Sequence, residues 1–276
     1  MRKIEEKAQA MAKLGVFACP VCGEALTLSQ TSLVCANGHR YDLAKKGTVN
    51  FLAKPSATEY DTPMLEARRR VLQAGFFAPF VAAIQSQLGA GDTVLDVGCG
   101  EGTPTSRLAE SGAQAVGFDI SAPAIALAGR LATSAVFCVA DLARLPFLPG
   151  SFSAVVDLFS PGAYQEFDRV LRPEGRLFKV IPAAGYLREL RQGLYAGTAK
   201  AAYSNRAVLD RFLAAYPDAT QTPLTYDFPV SPNQFEDVMK MTPLTWQADP
   251  AKRAAMVAAP PASIHVDVLL LEAKLR

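Results

Sequence analysis

From residue 93 onward, short apolar runs alternate with stretches in which apolar positions recur at helical spacing. The apolar runs predict strands at residues 93–97, 114–118, 135–139, 154–159 and 176–181, with two later strands near 224–228 and 264–271. The stretches between them predict helices near residues 104–111, 122–131, 164–171, 186–195, 206–215 and 233–241. Strands that alternate with helices are typical of a mostly parallel sheet covered on both faces. We therefore predict an α/β domain over residues 93–276.

The first 92 residues show no such alternation and divide into three parts. Residues 1–14 are charged throughout and are expected to form an N-terminal tail. Residues 15–53 contain two strand-like runs, at 25–28 and 32–34, between turns that carry cysteines. Residues 54–92 are expected to contain two helices, near 64–73 and 76–88, after a linker rich in turn-forming residues. The linker residues are Pro55, Ser56, Thr58, Asp61, Thr62 and Pro63.

The composition narrows the class of protein. The chain has 276 residues, 50% hydrophobic and 20% charged, which suffices for one sizeable core and excludes a disordered or fibrous protein. With 28 basic and 26 acidic side chains the net charge is +2, so no overall field favours nucleic acid or an anionic membrane. The apolar stretches fall short of the roughly 20 residues of a spanning helix, and the first segment lacks a secretory signal's apolar run. We expect a cytoplasmic protein without membrane spans.

Four soft metal ligands, Cys19, Cys22, Cys35 and His39, lie within 21 residues of one another in the sequence. Zn²⁺ takes four sulfur or nitrogen donors at about 2.0 to 2.3 Å, and two short turns with two donors each provide them. Because all four positions are filled, no site is left for a water molecule, and a structural zinc is predicted rather than a catalytic one. The short strands between the turns predict a zinc ribbon in which the metal supplies folding energy.

A glycine-rich turn, Gly98-Cys99-Gly100-Glu101-Gly102, follows the first predicted strand of the α/β domain. Glycines between a strand and a helix let a ligand approach the backbone at the carboxyl edge of a parallel sheet. Asp119 ends the next predicted strand, at the spacing at which a carboxylate accepts hydrogen bonds from both ribose hydroxyls. The turn and the aspartate together predict an adenosine-binding site.

The charges around this turn distinguish between two adenosine cofactors. Dinucleotide folds bring a pyrophosphate to such a turn, and the carboxylate of Glu101 would repel it. S-adenosylmethionine instead carries a sulfonium and an ammonium group, and Asp96 is placed to attract the ammonium directly or through water. Asp141, after the third predicted strand, could accept a hydrogen bond from the adenine amino group. S-adenosylmethionine is therefore the predicted cofactor.

Residues 96–102, Asp119 and Asp141 resemble the first three motifs of class I S-adenosylmethionine-dependent methyltransferases, a match that extends over residues 93–182. This resemblance implies a Rossmann-like sheet. Further segments resemble the bacterial large-subunit ribosomal RNA guanine-N1 methyltransferases, so that the likeness lacks only the first dozen residues. These segments are 17–22, 35–42, 44–52, 66–69, 74–79 and 241–246.

The resemblance implies methylation of N1 of a guanine in a 23S rRNA hairpin loop near the macrolide site, with the ribbon helping to grip the RNA. It also implies that the protein can form a homodimer with a composite RNA cleft. Phe77 and Tyr186 match positions that approach the cofactor in relatives, although Phe77 replaces an aromatic hydroxyl and Tyr186 a histidine of some members. The full predicted cofactor set is Phe77, Asp96, Gly98, Gly100, Glu101, Gly102, Thr103, Asp119, Ile120, Asp141, Leu142 and Tyr186.

Guanine N1 carries a proton that must leave as the methyl group arrives, so the site needs a proton acceptor or a group that stabilises charge on O6. Phe159 could stack on the base, and Ser160 or Tyr164 could hydrogen-bond its edge, but Phe159 fits the apolar core equally well. Asp157 and Glu166 are the nearest carboxylates, and neither is assigned as the base.

Three consecutive arginines, Arg68 to Arg70, are expected on a helix face that is either solvated or in contact with RNA phosphates. Two other functions stay open at this point. A small-molecule methyltransferase would use the same sheet but rarely needs a ribbon. A zinc-ribbon nucleic-acid-binding protein with a non-catalytic sheet would not need Asp96, Asp119 and Asp141 together.

Overall fold

The computed structural model describes residues 2–54, 56 and 60–275. Its strands are β1 (Leu26–Ser29), β2 (Ser32–Cys35), β3 (Arg40–Asp42), β4 (Val49–Asn50), β5 (Thr93–Val97), β6 (Gln114–Asp119), β7 (Val136–Val139), β8 (Phe152–Leu158), β9 (Leu171–Pro182), β10 (Thr220–Pro229) and β11 (Ser263–Lys274). Its helices are α1 (Lys3–Leu14), α2 (Thr62–Gln73), α3 (Ala78–Gln85), α4 (Thr103–Ala109), α5 (Ala122–Ala128), α6 (Tyr164–Val170), α7 (Arg188–Tyr195), α8 (Arg206–Ala215), α9 (Pro232–Met241) and α10 (Pro250–Ala258).

The described residues form one large sheet of eight strands in the order β10-β11-β9-β8-β5-β6-β7-β4. Strands β4 to β9 pair in parallel, and only β11 runs antiparallel to both of its neighbours, β9 and β10. All seven strands predicted for the α/β domain are present in this sheet. The predicted α/β fold with a Rossmann-like sheet is confirmed.

Side chains of successive strand residues pack on opposite faces of the sheet, as the pleat requires. Val94 and Val156 contribute to a core with α2, α3, α7 and α9, whereas Leu95 and Val155 contribute to a core with α6 and α8. Because both faces are covered, every residue of β8 is buried. The carboxyl ends of β5 to β8 are left at one edge, where the sheet can bind a ligand.

The N-terminal strands β1, β2 and β3 form a separate antiparallel sheet. This module is joined to the large sheet in two ways. Strand β4 pairs with β7, and Phe17 forms an antiparallel bridge with Phe147. The ring of Phe17 lies 5.6 Å from that of Phe147 and 5.9 Å from that of Phe51, measured between centroids. The module and the sheet thus share one apolar core.

Two helices were not expected from the sequence. Residues 3–14, expected to be a tail, form α1, because Ala8 and Met11 turn one face into the core while the charged residues cover the other. Lys7 fastens this helix by donating to the carbonyls of Thr133 and Ala135. Helix α10 is capped by Asp249, and none of its residues is fully buried, although Met256 packs against the core.

The linker residues Pro55 and Thr58 lie outside the described residues, whereas Asp61 caps the start of α2 by accepting from the amide of Met64. Within the described ranges no helix is long and apolar enough to cross a bilayer.

Candidate cofactor and metal sites

A cavity of about 440 Å³ opens at the carboxyl ends of β5 to β8. Eight of the predicted cofactor residues and two of the predicted substrate residues line it. They are Phe77, Gly98, Gly100, Asp119, Ile120, Asp141, Leu142 and Tyr186, with Phe159 and Ser160. Sequence reasoning did not assign several other lining residues to this site, namely Tyr60, Leu65, Arg68, Ser121, Met241, Thr242 and Pro243. Their convergence in the fold, from α2 and the residues before it, from the turn after β6 and from the end of α9, shows that they belong to it.

The turn after β5 forms the floor of this cavity. Gly98 has a φ of 62°, and a Cβ there would collide with the hydroxyl of Ser160, so the turn can pass under the 157–160 loop only with glycine. Asp119 stabilises the same turn, because its carboxylate accepts hydrogen bonds from the amides of Gly100, at 2.9 Å, and Ser121, at 2.8 Å. Burial raises the pKa of Asp119, and these two hydrogen bonds oppose the rise. Each of its oxygens keeps a lone pair for a ligand.

Four predicted cofactor residues do not line the cavity. The strand alternation points Asp96 towards α4, where its carboxylate accepts from the hydroxyl of Thr105 at 2.5 Å. Burial raises the pKa of Asp96 to about 7. Glu101 turns away from the cavity because Arg69 of α2 binds it, and Thr103 donates to the same carboxylate at 2.8 Å. Gly102 faces α5 and β7, where a Cβ would collide with Ala128 and Phe137.

Three aromatic rings form one wall of the cavity. The ring of Phe159 stacks on that of Tyr186 with 5.4 Å between centroids and an interplanar angle of 29°. Its other neighbour, Phe77, lies 5.2 Å away. Burial raises the pKa of Tyr186, so its phenol keeps the proton at neutral pH. This hydroxyl makes no hydrogen bond with any described residue and is available as a donor.

A buried ion pair holds the backbone that carries Phe159. Asp157 accepts from Lys179 Nζ at 2.6 Å and from the Ser160 amide at 2.9 Å, and Lys179 also donates to the Ser160 carbonyl at 2.8 Å. Both charged groups are buried. Between them Phe159 has a φ of 65°, a left-handed conformation that costs about 1 to 3 kcal/mol for a residue with a bulky side chain. The pair keeps the aromatic ring at the cavity wall.

The other two side chains considered for chemistry lie elsewhere. Tyr164 is the first residue of α6, and its ring packs against Phe167, Phe212 and Tyr216 instead of lining the cavity. Glu166 is held by Arg169 and by the amide of Leu145. Neither carboxylate that was considered as a base, Asp157 or Glu166, therefore faces the cavity.

The structure does not bring the three consecutive arginines to one exposed surface. Arg69 donates to both the carboxylate and the carbonyl of Glu101, and Arg70 forms two 2.7 Å hydrogen bonds with Asp237 of α9. Arg68 lines the cavity, with its guanidinium carbon 5.3 Å from the centroid of the Phe77 ring. Arg69 and Arg70 therefore form ion pairs within the fold, and the three arginines do not form the expected helix face that is either solvated or in contact with phosphates.

The four predicted metal ligands converge in the ribbon. Their donor atoms, three sulfurs and Nδ1 of His39, all lie within 4.8 Å of one another. The Cys22 and Cys35 sulfurs are 3.7 Å apart, and His39 Nδ1 is 3.3 Å from Cys35 Sγ and 3.5 Å from Cys19 Sγ. A tetrahedron with Zn–S of about 2.3 Å and Zn–N of about 2.0 to 2.1 Å has edges of roughly 3.8 Å (S–S) and 3.5 Å (S–N). The donor set fits zinc, and Cys19, Cys22, Cys35 and His39 would hold it.

Comparison with known proteins matches both regions of the chain. A family model described as "RlmA, N-terminal" matches residues 17–55, and one described as a methyltransferase domain matches residues 94–175. A protein of Bacillus subtilis (strain 168), YxjB, provisionally named as a 23S rRNA (guanine-N1) methyltransferase, is 37% identical over 93% of this chain and 96% of its own. The chain belongs to the 23S rRNA (guanine-N1) methyltransferase family.

A second member of this family, from Streptomyces fradiae, is 33% identical over 90% of this chain and 91% of its own, and its name gives guanine 748 as its target. Among solved structures, a Haemonchus contortus phosphoethanolamine N-methyltransferase 2 bound to S-adenosylhomocysteine aligns with a TM-score of 0.51. It covers 79% of this chain and 58% of its own at 16% identity, which shows a shared fold. The protein is an S-adenosylmethionine-dependent methyltransferase with a structural zinc ribbon.

Proposed function

We propose that the protein methylates N1 of a guanine in 23S rRNA. The observation that carries this proposal is the presence of the zinc ribbon and the methyltransferase sheet in one chain, matched over nearly the full length of relatives named for that activity. A small-molecule methyltransferase would need the cavity but not the ribbon, and a simple nucleic-acid-binding protein would need the ribbon but not the cavity.

S-adenosylmethionine supplies a methyl group that is activated by its sulfonium. Asp119 is proposed to accept hydrogen bonds from the ribose hydroxyls. Asp141, which follows β7, is proposed to accept one from the adenine amino group. Gly98 and Gly100 leave room for the cofactor against the floor. Ile120, 39% exposed, and Leu142 are proposed to pack against its adenine. Asp96, Glu101, Gly102 and Thr103 act on the cofactor only through the shape and charge of the turn.

The guanine is proposed to enter along the aromatic wall. Phe159, Phe77 and Tyr186 offer planar apolar surface on which a splayed base can stack. Extrusion is least costly from a single-stranded loop, which agrees with a hairpin target near the macrolide site. Met241, Thr242 and Pro243 close the cavity on the side of α9.

The N1 proton has no carboxylate acceptor in the part of this site where the base is proposed to bind. Among the described lining residues the only carboxylates are Asp119 and Asp141, which are assigned to the cofactor. The lining residues near the aromatic wall and α9 offer hydroxyls instead, among them those of Tyr186, Ser160 and Thr242. A hydrogen bond from the Tyr186 phenol to O6 would stabilise the charge that develops as N1 loses its proton, and the proton itself would pass to solvent.

Two further features belong to this proposal: action in the cytoplasm, which was expected from the sequence itself, and a homodimer with a composite RNA cleft, which the family resemblance implies. Sedimentation of the purified protein with and without a 23S rRNA hairpin measures the second. A strictly monomeric protein in both samples would contradict the dimer and leave the activity standing.

The activity is tested with labelled S-adenosylmethionine and 23S rRNA from cells that lack the modification. Label is expected in a single guanine, and primer extension should stop there because an N1-methyl group blocks base pairing. A matched RNA in which that guanine is replaced by adenine is the control and should stay unlabelled. Label only in small molecules, or in 16S rRNA, would contradict the proposal.

A further inference from the structure

Arg68 is a cation in the cavity that forms no ion pair with any residue that the structure describes. Its two neighbours on α2 are both neutralised by carboxylates, Arg69 by Glu101 and Arg70 by Asp237. Arg68 forms neither a salt bridge nor a hydrogen bond with the part of the chain that the structure describes, and its only close partner is the face of Phe77. The carboxylates of Asp96 and Asp119 lie near enough to be affected by its charge but form no ion pair with it, so its N–H donors are left for an anionic group of a ligand.

The position of Arg68 selects the part of the ligand that it can reach. A Cβ built on Gly100 would lie 3.7 Å from Arg68 Nε, so the guanidinium covers the turn after β5. Its charge is also close enough to Asp119 to act against the rise in that carboxyl's pKa, which burial causes. Phe77 supports the guanidinium from the side of the aromatic wall. Arg68 therefore stands between the cofactor floor and the substrate wall.

We propose that Arg68 binds the α-carboxylate of S-adenosylmethionine. This carboxylate is the only anionic group of the cofactor, and a guanidinium binds carboxylates through two parallel hydrogen bonds. The amino-acid end of the cofactor is a zwitterion. Arg68 supplies the positive partner of that zwitterion, while the carboxylates near the turn supply the negative one.

An RNA phosphate fits this position less well. It would enter a cavity that already holds the carboxylates of Asp119 and Asp141, and among the described lining residues only Arg68 is a cation that could oppose them. Phosphate sites usually combine several cations or backbone amides, and here Arg69 and Arg70 are already paired. Arg68 is thus assigned to the cofactor.

The test uses two ligands that differ only in the carboxylate: S-adenosylmethionine and its decarboxylated form, which keeps the adenosine, the sulfonium and the ammonium. Calorimetry on the zinc-loaded full chain gives both affinities. In Arg68→Ala the affinity for S-adenosylmethionine is expected to fall about 10- to 100-fold, the range for a charge-assisted bidentate pair. The affinity for the decarboxylated form should stay within about twofold or rise, because a like charge has been removed. Arg68→Lys should recover part of the loss.

Arg70→Ala is the matched control, since it removes a neighbouring arginine whose partner is Asp237, and it should leave both affinities unchanged. An equal loss for both ligands in Arg68→Ala would show that the arginine only shapes the cavity and would overturn the proposal. So would unchanged cofactor affinity combined with weaker RNA binding, which would assign Arg68 to a phosphate. The inference rests on the cofactor alone, so it can fail while the rRNA activity stands, and the reverse.

Discussion

In the large sheet every residue of β8 is buried, whereas in the ribbon two residues of the four-residue strand β1 and two of the three-residue strand β3 are exposed. The sheet is covered by helices on both faces and can form its core from apolar side chains alone. Within β1 to β3 of the ribbon the buried apolar side chains are Leu26 and Leu33, beside the metal-ligating Cys35. The two regions therefore need different sources of stability, apolar burial in one and metal coordination in the other.

The ribbon and the large sheet are not independent domains. Phe17, 1% exposed, packs on Phe147 of the sheet domain, and β4 extends the sheet itself. Helix α1 adds Ala8 and Met11 to the same core. The turns that carry Cys22 and Cys35 therefore depend on zinc, whereas the part of the ribbon around Phe17 and β4 depends on packing against the sheet.

Removal of the zinc should have the largest effect. In Cys22→Ser we expect the zinc content to fall well below one ion per chain. Methylation of 23S rRNA should fall by more than about 100-fold, because the metal-binding turns of the ribbon lose the free energy that zinc coordination supplies. Binding of S-adenosylhomocysteine should stay within about twofold, since the sheet retains its own core. Elemental analysis, the methylation assay and calorimetry measure the three quantities.

Val21→Ser is the matched control for this experiment. Val21 lies in the same turn and is 60% exposed, so its replacement should change neither zinc content nor activity. If Cys22→Ser loses cofactor binding together with zinc, the sheet depends on the ribbon for its stability. That result would contradict a sheet that is stabilised by its own apolar core.

Phe17→Ala tests the joint between the two regions. Truncation of a fully buried phenylalanine is expected to lower the free energy of unfolding by about 3 to 5 kcal/mol. Because the core is shared, wild type and mutant should each unfold in one transition on addition of urea, followed by both fluorescence and circular dichroism. Val21→Ala should change the free energy by less than about 0.5 kcal/mol. Two separate transitions in the wild type would show that ribbon and sheet unfold independently.

What could be predicted from the sequence follows from how local each signal is. The zinc ligands and the Gly98 to Asp119 segment carry their chemistry in short spacings, so their convergence was predicted before any tertiary contact was known. The orientations of the side chains around the turn were not predicted, because residues outside the turn determine them. Glu101 turns away from the cavity because Arg69, 32 positions earlier, binds it. Asp96 lies on the side of β5 that faces α4, where Thr105 donates to it.

The arginines and the aromatic wall show the same limit. Three adjacent arginines resemble an exposed basic face in sequence, yet their partners, Phe77, Glu101 and Asp237, come from three different segments. Phe77 and Tyr186 were predicted only through the family resemblance, since nothing in their local sequence marks a cavity wall. Helix α1 was missed because its charged residues outnumber the two that it buries.

Asp119→Ala tests whether the sheet holds the cofactor without help from the ribbon. Two charge-assisted hydrogen bonds of about 1.5 to 3 kcal/mol each would be lost, so the affinity for S-adenosylhomocysteine should fall by at least about 100-fold. Asp119→Asn should lose less, because its amide oxygen can still accept from the Gly100 amide. Asp237→Asn, a change in α9 at the residue that pairs with Arg70, serves as the control. A loss in Asp119→Ala below about threefold in calorimetry would place the ribose elsewhere.

The smallest effect concerns pH. Burial raises the pKa of Asp96 to about 7, above its ordinary value near 4, so the carboxyl is charged at pH 8 and mostly protonated at pH 5.5. The charged form attracts the ammonium group of S-adenosylhomocysteine, which stays protonated over this range, and the neutral form does not. Affinity should therefore fall as the pH falls, by about tenfold between pH 8 and 5.5.

Asp96→Asn isolates this contribution, because the amide still accepts from the Thr105 hydroxyl but cannot titrate. Burial also raises the pKa of Asp119, so any pH dependence that remains in Asp96→Asn measures that second carboxyl. Since both groups belong to the sheet, the zinc-free Cys22→Ser variant should show the same profile as the wild type. A profile in Asp96→Asn identical to that of the wild type would mean that Asp96 only anchors α4 and has no influence on the amino-acid end of the cofactor.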